Sequence, residues 1–293
     1  MSTGTDPLAP LAALSGVPEA VAEVRKAVDR LYGHRVMRRR AAEVTSEAAI
    51  RGARASAALD GADWSLEEIR RRSDFGGDPE ARTVGGALRI SADAGQLLGV
   101  WRHSPLQVLA RLHLLAAGDA DPAAGRPRRE GEPAGPLFPV EIAAAEGFER
   151  KVQEVELPPA PPADEAAARL DQLAQLLAAR ADGAASGTPA LVVAAVVHGE
   201  LLALRPFGAH NGVVARAAQR IVLIAEGLDP KAICPAEVGL AELGTAAYRE
   251  ALAGYLGGTE EGMARWIGHC GEALRLGVRE STAVCEAMQR GMV

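Results

Sequence analysis

Cysteine is scarce in this 293-residue chain. Only Cys234, Cys270 and Cys285 are present. Their odd number, wide spacing and lack of a C-x-x-C pair exclude a disulfide framework, so reduced and mostly buried thiols are expected. Aromatic residues make up 3%, and β-branched residues other than valine are sparse. That composition, rich in alanine and arginine, favours helices packed closely through small side chains. Lysine is limited to Lys26, Lys151 and Lys231, and the formal net charge is −6. A nucleic-acid partner is therefore not expected. The longest apolar run, Ala190 to Val197, falls well short of the roughly 20 residues a bilayer span needs. No membrane partner is expected. Met1 to Pro10 hold no basic stretch followed by an apolar run, so no secretion signal is read and a cytoplasmic location is expected.

What is present is helical periodicity. The chain is 48% hydrophobic and 24% charged, a globular balance for one large domain or two intimate ones. Val21, Val24, Val28 and Leu31 recur at helical steps, and Gly33 closes that helix. A second helix is predicted from Val36 to Leu59, stopped by Gly61. Ser65-Leu66-Glu67-Glu68 has the form of a helix N-cap. Asp74 to Ala81 is turn-rich, and a helix pair is predicted over Gly86 to Ala117 with a break before Pro105. Gly and Pro then dominate residues 118–139, around Arg126, Arg128 and Arg129, and Leu157 to Pro162 is a second proline cluster. Both read as loop, flap or linker. Helices are predicted over 164–181, 190–204, 213–226, 242–256 and 259–285.

The expected fold is all-α, with room for one short β-hairpin flap near 118–139. The expected organisation is a flexible arm (1–15), an N-terminal helical part (16–117), a flap or linker (118–162) and a core (163–285).

The chemistry should sit where the two most apolar helices meet, at Arg205-Pro-Phe-Gly-Ala-His-Asn-Gly-Val-Val-Ala-Arg216. A helix start offers unpaired N–H groups and partial positive charge, and a Gly-bearing turn before it can wrap them around an anion. Asn211 adds a donor and Arg216 a bidentate cation. On the residues alone this is either a phosphate- or nucleotide-binding corner or an ordinary helical corner with Arg216 paired to a carboxylate.

The same segment resembles the Fic (Fido) signature, H-P-F-x-[D/E]-G-N-G-R-x-x-R, with Pro206, Phe207, Asn211, Gly212 and Arg216 in register. Thr188-Pro189 through His198 looks like the helix before that motif. Tyr248-Arg-Glu-Ala-Leu252 and Trp266-Ile267 are similar to the family's closing helices. Ser56-Ala-Ala-Leu-Asp60-Gly61 resembles its inhibitory motif, [S/T]-x-x-x-E-[G/N], with Asp in place of Glu. The resemblance spans roughly residues 45–275 and implies a Fic-like helical bundle. It implies transfer of AMP, or another phosphate-containing group, from ATP or another nucleotide to a hydroxyl of a protein target.

The departures bear on activity. The motif histidine is the family's base, and Arg205 stands there; a guanidinium stays protonated and cannot serve as one. The motif's acidic metal ligand is replaced by Ala209, which argues against Mg2+. Its glycine is His210, and its first arginine is Val213. His210 is the nearest candidate for a substitute base. Arg205 reads either as a clamp on an anion shared with Arg216 or as an ion pair in a dead site. By the resemblance, Asp60 would pair with Arg216 and block nucleotide binding. His198 reads as a hydrogen-bonded core histidine, and no spacing makes His198, His210 and His269 a metal site. Arg38 to Arg40 reads as a solvated helix face. Three functions stay open. The first is a pseudoenzyme that retains nucleotide or phosphate binding. The second is an AMP transferase with non-standard residues. The third is an interaction protein with a closed cleft, serving a regulatory partner.

Overall fold

The computed structural model describes residues 6–118, 121–181 and 187–292. Among them the chain forms helices and no strand. In chain order these are α1 (Ala9–Ala12), α2 (Val17–Tyr32), α3 (Met37–Leu59), α4 (Leu66–Arg71), α5 (Pro79–Asp93), α6 (Leu98–Trp101) and α7 (Pro105–Ala117). They continue as α8 (Ala163–Ala181), α9 (Ala190–Leu204), α10 (Asn211–Ala225), α11 (Ala236–Leu243), α12 (Thr245–Gly257) and α13 (Glu260–Gln289).

The centre is α9, which is apolar on every side. Thirteen of its residues are buried, including Val192, Val193 and Leu204. A helix with no polar stripe must be surrounded, and α9 is: α10 runs against it, α13 and α12 cover another side, and α8 closes a third. α13 backs the whole bundle, touching α2, α3, α9, α11 and α12. Its contact with α11 is backbone-close. A Cβ at Gly239 would collide with the Ala273 carbonyl, and one at Gly277 with the Pro235 carbonyl. Trp266 is fully buried and donates its Nε1–H to Ala195 O at 2.7 Å, tying α13 to α9.

Three expectations are corrected. The arm is tied down over residues 6–14: Leu8 is buried, and Asp6 bonds both Arg180 and Thr188 at 2.6 Å. Residues 1–5 lie outside the described ones. Among the described residues of 118–139 no hairpin forms. The stretch from 121 to 162 is turns and extended chain, and Pro122, Pro127, Pro133, Pro136 and Pro139 deprive it of the N–H donors a ladder needs. Some of its remaining donors close local turns, and others bond the core. Arg128 N reaches Pro206 O and Gly135 N reaches Gly208 O, both at 2.8 Å. Thr245 N donates back to Ile142 O at 3.0 Å. The segment is a strap laid over the loop between α9 and α10. Finally, the last part of the chain holds three helices, not two, because α11 stands before α12.

Candidate functional site

The loop between α9 and α10 turns in six residues, 205–210. Two of its boundary residues have left-handed backbone: Arg205 (φ 44°) caps α9, and His210 (φ 57°) caps α10. For a side chain with a Cβ this costs roughly 1–2 kcal/mol per residue. Asn211 holds the turn together. Its Oδ1 accepts from Phe207 N at 3.0 Å, and its Nδ2 donates to Phe207 O at 2.8 Å. The side chain read as an anion donor thus has one amide N–H and its oxygen engaged within the loop.

Beneath the loop, His113 of α7 stacks on Phe207, centroids 4.1 Å apart and planes at 7°. Its Nδ1 accepts from Gly125 N at 2.9 Å, which joins α7, the loop and the strap. Burial, helped by neighbouring His210, pulls the His113 pKa down to about 4, so the ring is neutral. Nothing in the sequence marked His113; it is one histidine on an otherwise apolar helix face.

Arg216 lies one turn into α10 with its side chain 2% exposed. It reaches across to the last turn of α3. Nε donates to Ser56 Oγ at 2.9 Å, and Nη2 donates to Ser56 O at 3.0 Å and to Asp60 Oδ1 at 2.5 Å. Each bond has a reason. The Ser56 carbonyl belongs to the final turn of α3, where carbonyls lack helical partners and the helix end is negative. Asp60 is the C-cap of α3, and Gly61 follows with φ +99°, a conformation suited to glycine. The shorter reach of Asp relative to Glu does not prevent the pair. Burial works against the Arg216 charge, but Asp60 and Tyr248 outweigh it and hold its pKa above the ordinary value.

Asp60 also lies close to the first turn of α10. A Cβ on Gly212 would lie 3.0 Å from Asp60 Oδ1 and 2.9 Å from Arg216 Nη1. The carboxylate thus lies beside the start of that helix. Behind Arg216, Tyr248 OH meets His198 Nε2 at 2.5 Å. His198 is fully buried, and burial lowers its pKa well below the usual value. It is the hydrogen-bonded core histidine its sequence context implied.

Ser56, Asp60, Gly212 and Arg216 are therefore brought together, with Gly61 completing the turn. Arg205 is not part of that group. Its Nη2 donates to Pro158 O of the strap at 2.7 Å, and its own carbonyl accepts from Arg128 Nε at 2.8 Å. His210 is half-buried, 6.1 Å from His113 between ring centroids. Burial lowers its pKa, and Asp60 and Asp121 pull the other way. Its ring has no hydrogen-bond partner among the described residues. Ala209 carries no ligand atom, the Asp60 carboxylate is bound to Arg216, and no group of three metal-ligating side chains exists among the described residues.

Comparison with solved structures shows the fold. A crystal structure of a Fic family protein from Desulfovibrio desulfuricans G20 superposes with TM-score 0.65 at 22% identity, covering 90% of this chain and 74% of that one. A structure of Fic-1 from C. elegans gives TM-score 0.62 at 15% identity, with 92% and 73% covered. A second structure of that nematode protein gives 0.55 at 16%, with 90% and 72% covered. No protein-family model matches the sequence, and no curated protein matches it. The chain has the Fic fold.

Proposed function

We propose that this is a Fic-fold protein without transferase activity, its phosphate corner closed from within, acting as an interaction or regulatory protein. The observation that carries this reading is the binding of Arg216 by Ser56 and Asp60. Arg216, the buried cation one turn into α10, already holds three acceptors, Ser56 Oγ, Ser56 O and Asp60 Oδ1, and the Asp60 carboxylate lies beside the first turn of that helix. The remaining parts support it. Arg205 cannot take a proton from a hydroxyl. Ala209 cannot hold Mg2+, and Asn211 is bonded to its own loop. Closure by an internal carboxylate argues against retained nucleotide binding in this state of the protein.

Incorporation of labelled AMP from MgATP, by the wild type and by Asp60→Ala, tests the reading. The expected result is no incorporation by either protein, because removing the lock restores neither a base nor a metal ligand. Incorporation that disappears in His210→Ala would establish His210 as a substitute base and overturn the reading.

A further inference from the structure

Arg205 is the arginine of the loop that has no anion. Its guanidinium is half-buried beside that of Arg128, and burial together with this like charge lowers its pKa. No carboxylate among the described residues is paired with it. Nη2 has the Pro158 carbonyl, while Nε is buried and has no acceptor. Keeping an unneutralised guanidinium partly out of water on a left-handed backbone costs stability on both counts. Packing alone gives no reason for it.

The same side chain lines a cleft of about 430 Å³ between the two arms of the strap. Leu137, Phe138 and Leu157 give it an apolar lining, and Arg249 lines it together with Arg205. The Arg249 guanidinium stacks over Phe138 at 5.3 Å and is bonded to Glu141. The volume suits a small ligand, and the lining combines apolar walls with two cations, the usual make-up of a ligand site. Glu154 and Glu156 stand exposed at the rim. They repel a polyanion, so a nucleoside triphosphate is a poor occupant.

We propose that this cleft binds a single-headed oxyanion, a carboxylate or a phosphate monoester, on a small apolar body. Arg205 is its anchor and Arg249 its second donor, with the body against Leu137, Phe138 and Leu157. The inference rests on the reading of the loop as non-catalytic. The side chain in the base's place then binds an acid instead of taking a proton.

The test is calorimetric titration of 3-phenylpropionate, phenyl phosphate and inorganic phosphate into the wild type, Arg205→Gln, Arg205→Lys, Arg249→Gln and Asp60→Asn. For probes of this size the expected Kd is on the order of 1 mM. The two aryl probes tell a carboxylate head from a phosphate head by which binds tighter. Arg205→Gln should weaken binding at least about tenfold, and Arg249→Gln should weaken it less. Arg205→Lys should retain part of it, which separates lost charge from a damaged fold. Asp60→Asn should change nothing, and ATP should not compete. Binding unchanged in Arg205→Gln overturns the inference. So does inorganic phosphate binding as tightly as phenyl phosphate, since the apolar walls would then contribute nothing. Binding that Asp60→Asn alters places the ligand at Arg216 and overturns the closed-corner reading as well. No heat with any probe at about 10 mM overturns this inference and leaves the absence of transferase activity to the AMP assay.

Discussion

Replacing Asp60 with alanine isolates the closed corner. The substitution deletes the carboxylate bonded to Arg216 and leaves in place a guanidinium whose side chain is 2% exposed. Breaking a buried ion pair from one side costs roughly 3–5 kcal/mol, most of it the stranded charge. Two features place this case at the low end. The Asp60 side chain is 13% exposed, so water can enter the vacated place, and Ser56 still offers two acceptors to Arg216. The expected loss is about 3 kcal/mol. For a chain of this length that lowers Tm by roughly 6–12 °C. Asp60→Asn keeps an acceptor near Nη2 and should lose about half as much. Pairing Asp60→Ala with Arg216→Met removes the charge together with its partner and should recover most of the loss. Thermal and urea unfolding of the four proteins measures all of this. Asp60→Ala within about 0.5 kcal/mol of the wild type would refute the reasoning, because Arg216 would then be held without its carboxylate.

Two further outcomes are expected. Stability should fall on acidification below about pH 6.5. The unfolded chain protonates its histidines near 6.5, whereas burial holds His113 down to about 4 and His269 down to about 3. Between those limits the unfolded state binds more protons, so each ring removes at most about 1.4 kcal/mol per pH unit. Equal urea midpoints at pH 7 and pH 5 would contradict this. In the second, Gly239→Ala should destabilise by about 1–3 kcal/mol through collision with the Ala273 carbonyl. Gly268→Ala, on the same α13 and facing open space, should stabilise by about 0.5–1 kcal/mol. Similar melting temperatures for the two variants would undo the account of the α11–α13 contact.

How much of this was legible in the sequence follows from what each element needs from its neighbours. Helix α9 was read at its true bounds, Ala190–Leu204, because an all-apolar run between Pro189 and a polar loop has no other reading. Helix α5 was begun too late. Gly85 and Gly86 look like a break, yet Gly86 sits inside the helix where it lies against the Ala116 carbonyl. The true start carries its own signal, an Asp78 side chain capping Ala81 N at 2.8 Å before Pro79. Helix α11 was missed for the same reason, with Gly239 at its centre.

At the site, Arg216 could be found from its place one turn into the helix after the loop, and Ser56 and Asp60 from the resemblance alone. The partnership of Arg205 with the strap could not. Gly- and Pro-rich text reads as mobile chain, and only tertiary contacts such as Arg128 with the Arg205 carbonyl show that it is docked. His113 left no local pattern at all.

The central claim is that the corner at the start of α10 is occupied by the protein's own carboxylate and takes no nucleotide. Calorimetric titration of MgATP into the wild-type protein tests it most directly. The account predicts no heat of binding. One-to-one binding that strengthens with magnesium would contradict it.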